Sequence, residues 1–195
     1  MSAPPASLRF TEAMSGTLRR EAGVDLGPAY FVLTILTDDV DAMIRDPDHR
    51  GRAFGVVVAP TVHPAPLAVT AGSLDLFVDV APGVVHMRYI LLLQDEDGAA
   101  WRLEGHQDVR RRGWRPWRIA ADTTTLFVRL QRVVPASDIT ASPFTGVFTM
   151  GPGGVLAQGL SFRWSGPWGG LPGLARYLAY YGRRVAQVWT YRAGA

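Results

Sequence analysis

Seven apolar segments, each ended by a cluster of Pro, Gly or Asp, follow one another at intervals of about a dozen residues, and this rhythm restricts the fold more than any other feature. Leu8–Leu18 alternates, with Leu8, Phe10 and Met14 on one side, which is the two-residue period of a half-buried strand. Residues 29–37 (AYFVLTILT) are almost continuously apolar and read as a strand buried on both faces or lying at the rim of a closed sheet. GRAFGVVVA, LAVTAGSLDLFVDV, VVHMRYILLLQ, AAWRLEGHQDVR and TTTLFVRLQRVV continue the series. Such a succession predicts a mainly β chain, an antiparallel meander that closes into a barrel.

Two helices interrupt this expectation. Asp38 is a suitable N-cap for a short helix near 39–45, in which Val40, Met43 and Ile44 share a face before Pro47 stops it. From about 171 to 192, Leu174, Leu178, Tyr181, Val185, Val188 and Trp189 recur at three- and four-residue spacing, predicting an amphipathic helix packed on the sheet. Between them FTGVFTM reads as a strand, GPGGVLAQG as flexible or briefly helical, and LSFRWSG as a strand ending at Pro167.

A chain of 195 residues suits one β domain spanning 1–195 and buries enough surface to hold a core without staples. It has no cysteine, so thiolate catalysis, iron–sulfur clusters and cysteine-based zinc sites are excluded, and its four histidines lack the spacing of a zinc helix. No metal and no cofactor is expected. Every basic residue is arginine, and lysine and asparagine are both absent, a coding bias that removes most of the meaning from the high isoelectric point. The N-terminus lacks the basic and apolar regions of a secretory signal, and no apolar run is long enough for a membrane span, which points to a cytoplasmic protein.

Asp97-Gly98 between two apolar runs is a strong hairpin signal. A loop of two or four residues would place Met87, Tyr89 and Leu91 on one face with Arg102, Glu104 and His106, and Arg88, Ile90 and Leu92 on the other with Trp101, Leu103 and Gly105. Tyr89, Glu104 and His106 would then supply a proton donor, an acceptor and a pH-tunable group; the alternative is a solvent-facing cross-strand cluster. Arg88 beside Trp101 could polarise a ligand carbonyl or simply pair with Glu12, Glu104 or Asp122. Glu12 interrupts an apolar strand and is the carboxylate to watch, with an outward position as its alternative. Asp122 before three threonines suits a strand-start hydrogen-bonding role. Phe10, Met14, Met87, Leu91, Trp101 and Trp164 are candidate substrate-binding residues.

RRRGWRPWR at 110–118 mixes five arginines with two tryptophans, types used on nucleic acids, but in a chain of net charge +3 it reads as a solvated connection or docking loop, and no nucleic-acid partner is expected. No G-x-S-x-G elbow and no P-loop occurs.

FTEAMSG, the run AYFVLTILTDDVDAMIRDPDHRGRAFGVVVAP, HMRYILLLQDEDG, DTTTLFVRL and a Tyr/Trp-containing final helix occur in this order. Together they resemble a bacterial domain found beside or fused to GMC-type flavin oxidoreductases of the cholesterol-oxidase kind. The likeness covers residues 8 to about 134 and the final helix, whereas 135–170 depart from it. It implies traffic in sterol-like or polyketide-like molecules, with the chain either the partner of a flavin oxidoreductase or a stand-alone relative, because it has no G-x-G-x-x-G of its own to hold flavin. The pattern is also similar to lipocalin-like barrels, some of which are cofactor-free cyclases of natural-product biosynthesis. The expected function is therefore binding of an apolar small molecule and its cofactor-free cyclisation or isomerisation by orientation. The alternative is a non-catalytic, ligand-carrying accessory domain. An unpaired strand edge would invite a homodimer.

Overall fold

The computed structural model describes residues 4–20, 23–81, 84–110, 124–133, 142–166 and 170–190. RRRGWRPWR beyond Arg110 and Asp122 lie outside them. The chain runs β1 (Ser7–Arg20), β2 (Asp25–Thr37), α1 (Val40–Arg45), β3 (Arg50–Ala59), β4 (His63–Ala81), β5 (Val84–Gln94), β6 (Ala100–Arg110), β7 (Thr125–Arg132), β8 (Phe144–Thr149), α2 (Pro152–Ser161), β9 (Arg163–Ser165) and α3 (Leu171–Thr190).

Strands β1 to β8 each pair with their chain neighbours, every ladder is antiparallel, and β8 returns to β1. The meander thus closes into an eight-stranded barrel, a mainly β architecture of the lipocalin-like kind. Strand parity assigns the interior: Leu18, Phe31, Leu33, Val57, Leu67, Leu91, Leu103, Leu126 and Phe148 are among the side chains that fill it.

The first strand closes the barrel. Along one side it pairs with β2 from Leu8 to Arg19; along the other, Ser15–Arg20 meets β8 and Ser7–Arg9 meets β9. Between those two ladders Ser161 Oγ accepts from Thr11 N–H at 2.8 Å and shares its one proton between the Gln158 carbonyl at 2.7 Å and the Thr11 carbonyl at 3.1 Å. Strand β8 stops short because Gly151-Pro152 turns the chain out of the sheet, and Pro152 begins α2. The side of β1 that β8 leaves open is therefore covered in part by β9 and by α2.

Several expectations are corrected. Strand β2 is not buried on both faces: Phe31, Leu33 and Ile35 point inward while Tyr30 and Val32 are exposed, since the outer surface of a strand also suits aromatic and β-branched residues. The N-cap of α1 is Asp39, which accepts from Ala42 N–H at 2.9 Å, while Asp38 pairs with Arg52 at 2.6 Å. GPGGVLAQG supplies the N-cap and most of a ten-residue helix, Pro152–Ser161, which takes the first two residues of LSFRWSG and leaves it a strand of only three.

The largest correction concerns the β5–β6 hairpin. Gln94 pairs with Ala100, so its loop has five residues, and odd positions pair with odd ones: Tyr89 with Gly105, Leu91 with Leu103, Leu93 with Trp101. The cause is Asp95. Its carboxylate accepts from Ala99 N–H at 2.7 Å and from the Trp101 indole at 3.0 Å, wrapping the turn around itself. Those bonds, the indole's first, hold its pKa below the usual carboxylate range. Glu104 and His106 consequently face outward, away from Tyr89.

Because the chain lacks cysteine, this register can be tested by cross-linking. Ile90→Cys with Glu104→Cys, directly opposed on the outer face, should oxidise to a disulfide, whereas Ile90→Cys with Leu103→Cys, on opposite faces, should stay reduced. The reverse outcome on non-reducing gels would restore the even-length loop.

Candidate functional site

One end of the barrel is filled and the other is not. At the filled end Trp101 covers the core with its indole turned to Asp95, so this candidate substrate-binding residue is structural. At the open end α3 lies across the mouth and α2 fills the gap in the wall beside β1, and together they enclose a cavity of about 260 Å³. Its walls are Phe10 and Glu12 of β1, Leu74 and Leu76 of β4, Met87 and Tyr89 of β5, and Gln107 of β6. The cover consists of Val155 and Gln158 from α2, Phe162, and Tyr177, Leu178 and Tyr181 from α3. Val155 and Leu178 line the cavity yet are exposed, so it opens to solvent between the two helices.

Helix α3 is fixed over the mouth by three anchors. Arg176 pairs with Asp41 of α1 at 2.6 Å; the Tyr180 hydroxyl donates to Leu76 O at 3.5 Å; and Arg184 bonds to the Phe77 carbonyl and to Asp79 at 3.0 Å. Phe77 adopts φ 53° at a break in the β4–β5 register, a conformation that costs a side chain of this size energy, and its ring packs against Tyr181 at 4.8 Å. The buried stripe of α3 contains Gly173, Tyr177, Tyr180 and Val188; Leu178, expected within it, is turned outward.

Glu12 is the chemical centre. Its even position places it on the same inward face as Leu8, Phe10 and Met14, where it is 4% exposed. Burial raises its pKa to about 7, and interaction with the Tyr89 hydroxyl offsets only part of that rise. Gln158 of α2 donates to Oε2 at 3.2 Å, through the gap between β8 and β9 that Ser161 spans. Oε1 has no hydrogen-bond partner among the described residues, and no arginine forms an ion pair with the carboxyl there. Gln107, 2% exposed, also holds Oε1 unpaired, with only a 3.8 Å contact from its amide nitrogen to Met14 Sδ. Two acceptors thus lie beside one small cavity with no partner at hydrogen-bonding distance, the Tyr89 hydroxyl acting on the Glu12 carboxyl only weakly. The phenols of Tyr89 and Tyr177 are pushed up, above all by burial, and stay protonated at neutral pH as hydrogen-bond donors.

The other candidates are placed as follows. Phe10 and Met87 line the cavity; Met14 and Leu91 belong to the packed interior beyond it; Trp164 lies on β9, paired with Leu8 and partly exposed. Arg88, Glu104 and His106 face a larger depression of about 1070 Å³ on the outer surface of the barrel. There Arg88 pairs with Asp75 at 2.7 Å, Glu104 with Arg102 at 2.6 Å, and His106 stacks between His86 and Phe127 at 5.2 and 5.4 Å. This outer depression is the weaker candidate despite its size: it lies on the outer surface of the barrel and most of its charged groups are paired within the protein, Arg129 and the Nε of Arg102 excepted, whereas the inner cavity adjoins a buried carboxyl that no arginine neutralises. Tyr181 is expected from the sequence only as part of the apolar stripe of the final helix, and Gln107, Gln158 and Tyr177 escaped sequence reasoning. Gln107 alone had a signal, its shared parity with Leu103 and Val109.

Among the described residues no helix is long and apolar enough to cross a membrane, and no cluster of His, Asp and Glu is placed to hold a metal ion. The fold and site define a closed antiparallel barrel with a helix-capped, largely apolar cavity built around one buried carboxyl. No family model, no curated protein and no solved structure matches the chain.

The raised pKa has a measurable consequence for stability. Between about pH 4.5 and about pH 7 the unfolded chain loses the Glu12 proton while the folded protein keeps it, so stability falls as pH rises through that window and levels off above it. The span corresponds to about 3 kcal/mol. Denaturant unfolding should show this decline in the wild type, and Glu12→Gln should flatten it and be the more stable protein above pH 7; parallel curves for the two would mean that Glu12 is not buried as a neutral acid.

Proposed function

We propose that the chain binds an apolar small molecule bearing a carbonyl group in the cavity beneath α2 and α3 and catalyses its cofactor-free isomerisation or cyclisation. The observation that carries this reading is the Glu12 carboxyl: buried, unaccompanied by an arginine, with one oxygen unpaired at a cavity. A carboxyl that titrates near neutrality can act as both base and acid in one turnover. Its carboxylate takes a proton from the carbon beside the substrate carbonyl, and the electron pair moves into an enolate. A protonated phenol, Tyr177 or Tyr89, donates a hydrogen bond to the enolate oxygen. The proton held on Glu12 then returns to a different carbon for isomerisation. In a ring closure the enolate carbon attacks a second carbonyl and Glu12 protonates the resulting alkoxide. Either sequence balances without an oxidant or a metal.

The remaining walls supply orientation. Phe10, Leu74, Leu76, Met87 and Phe162 are apolar, and restricting a flexible substrate against such walls can supply several kcal/mol. The volume lies just below the roughly 300–1,000 Å³ typical of small-molecule sites, so a compact ring system fits within and a longer tail would leave between Val155 and Leu178.

Native mass spectrometry of the freshly purified protein, with extraction and identification of any retained molecule, tests the binding. With that molecule or its open-chain precursor, turnover should rise with pH through an apparent pKa near 7, and Glu12→Gln should lower it by about 100-fold or more while retaining binding. A protein that is empty and takes up no apolar dye would sink the cavity reading. Tight binding with no turnover would leave carriage instead, as for an accessory domain serving a flavin oxidoreductase.

A further inference from the structure

The charge of this chain is unevenly distributed along its length. After Asp138 there is no Asp or Glu, whereas Arg163, Arg176, Arg183, Arg184 and Arg192 all follow it; the residues up to Asp138 hold fifteen arginines against seventeen acids. That acid-free portion forms the cover of the cavity: α2, β9 and α3. The cover is also where the largest exposed aliphatic side chains gather. Helix α2 contains no charged residue and no buried one, and its Leu156 and Leu160 are 65% and 71% exposed. Leu171 and Leu178 of α3 are exposed at 60% and 55%, and Ala175, Ala179, Gly182 and Ala186 continue that outward stripe.

A stable helix keeps its leucines out of water unless something else covers them. Two of the arginines are engaged with the barrel, Arg176 with Asp41 and Arg184 with Asp79. Arg163, beside Arg9 in the β1–β9 ladder, and Arg183 form no ion pair among the described residues. The surface thus offers aliphatic side chains together with uncompensated guanidinium groups. A second copy of the same face would bring these like charges together, which disfavours self-association.

We propose that α2, β9 and α3 form a docking face for an anionic phospholipid surface, with the leucines entering the interface and the arginines meeting the headgroups. Docked in this way, the cavity mouth between Val155 and Leu178 faces the bilayer, and an apolar ligand can pass between lipid and barrel without crossing water. The docking does not depend on the identity of the ligand or on catalysis inside.

The test is co-sedimentation of the full chain with vesicles of phosphatidylcholine alone and of equimolar phosphatidylcholine and phosphatidylglycerol. Binding to the mixed vesicles should exceed binding to the neutral ones by about tenfold or more and should weaken with added salt. Leu156→Asp with Leu160→Asp, at exposed positions outside the cavity wall, should reduce it by about tenfold or more with an unchanged melting temperature, and Arg183→Glu should reduce it by a similar factor. Equal binding to both vesicle types, no binding at all, or undiminished binding by the leucine variant would overturn the proposal. So would a wild-type dimer that the leucine variant converts to monomer in sedimentation velocity, which would make the face a contact between copies. Vesicle binding as described by a protein that takes up no apolar dye would uphold docking and remove the ligand-binding reading alone.

Discussion

Every buried main-chain donor and acceptor of a barrel must find a partner, and in this protein the requirement falls hardest on β1. It is the strand at which the meander closes, and β8, only six residues long, covers barely half of its second side. The rest is made up by a three-residue strand and one serine hydroxyl. This patched seam determines the site. Ser161 can reach Thr11 only if α2 lies along the barrel wall, and with α2 so placed, Gln158 is brought to Glu12, the next residue of β1. A full-length β8 would close the barrel with ordinary ladder bonds and leave the helix no position from which to reach the interior.

Much of the barrel could be read from the alternation of its strands, because a period of two is fixed by backbone geometry and survives almost any tertiary context. The same alternation held more than a first reading takes from it. Glu12 shares the parity of Leu8, Phe10 and Met14, so the pattern itself places the carboxyl inside; the expectation that an acid points outward is a statement about residue type, and here strand geometry overrides it. The hairpin after β5 shows the converse. Asp-Gly signals a turn, but loop length is set by where Asp95 directs its carboxylate, and its choice of Ala99 N–H and the Trp101 indole adds one residue and turns Glu104 and His106 to the other face. The trio expected from the hairpin is thereby divided, Tyr89 inside and its two companions outside. The cover was least legible. Helix α2 has two glycines in its first turn and no charged face, so its helicity comes from docking on β1 and not from propensity.

The same docking explains an apparent inefficiency of the cover. A cap that only sealed the barrel could bury its leucines inward and carry charges outward, the usual arrangement of a surface helix. Here the aromatic residues Phe162, Tyr177 and Tyr181 occupy the inward side together with Val188, while Leu156, Leu160 and Leu171 are left exposed outside the cavity wall. Phenols inside a cavity suit the ligand proposed above, since they present both an apolar ring and a donor. Leucines outside suit the proposed docking surface. The two faces of the cover thus have different demands to meet, and its composition follows from meeting both.

Among the described residues two acids, Asp75 and Glu12, are buried, and their surroundings contrast. Asp75 is wholly covered, but Arg50 and Arg88 reach its two oxygens from opposite sides at 2.9 and 2.7 Å, so its charge is matched and its lone pairs are used. Such a group fixes the β3–β4–β5 ladders to one another and has nothing left to offer a ligand. Glu12 receives one amide bond and has no arginine in ion-pairing range among the described residues, although the chain contains twenty. With so many guanidiniums available, a carboxyl needed only for structure could be paired as Asp75 is. Glu12 instead sits where burial opposes its ionisation and a cavity adjoins an oxygen without a partner at hydrogen-bonding distance, an arrangement that lowers stability and that fits the proton transfer proposed above.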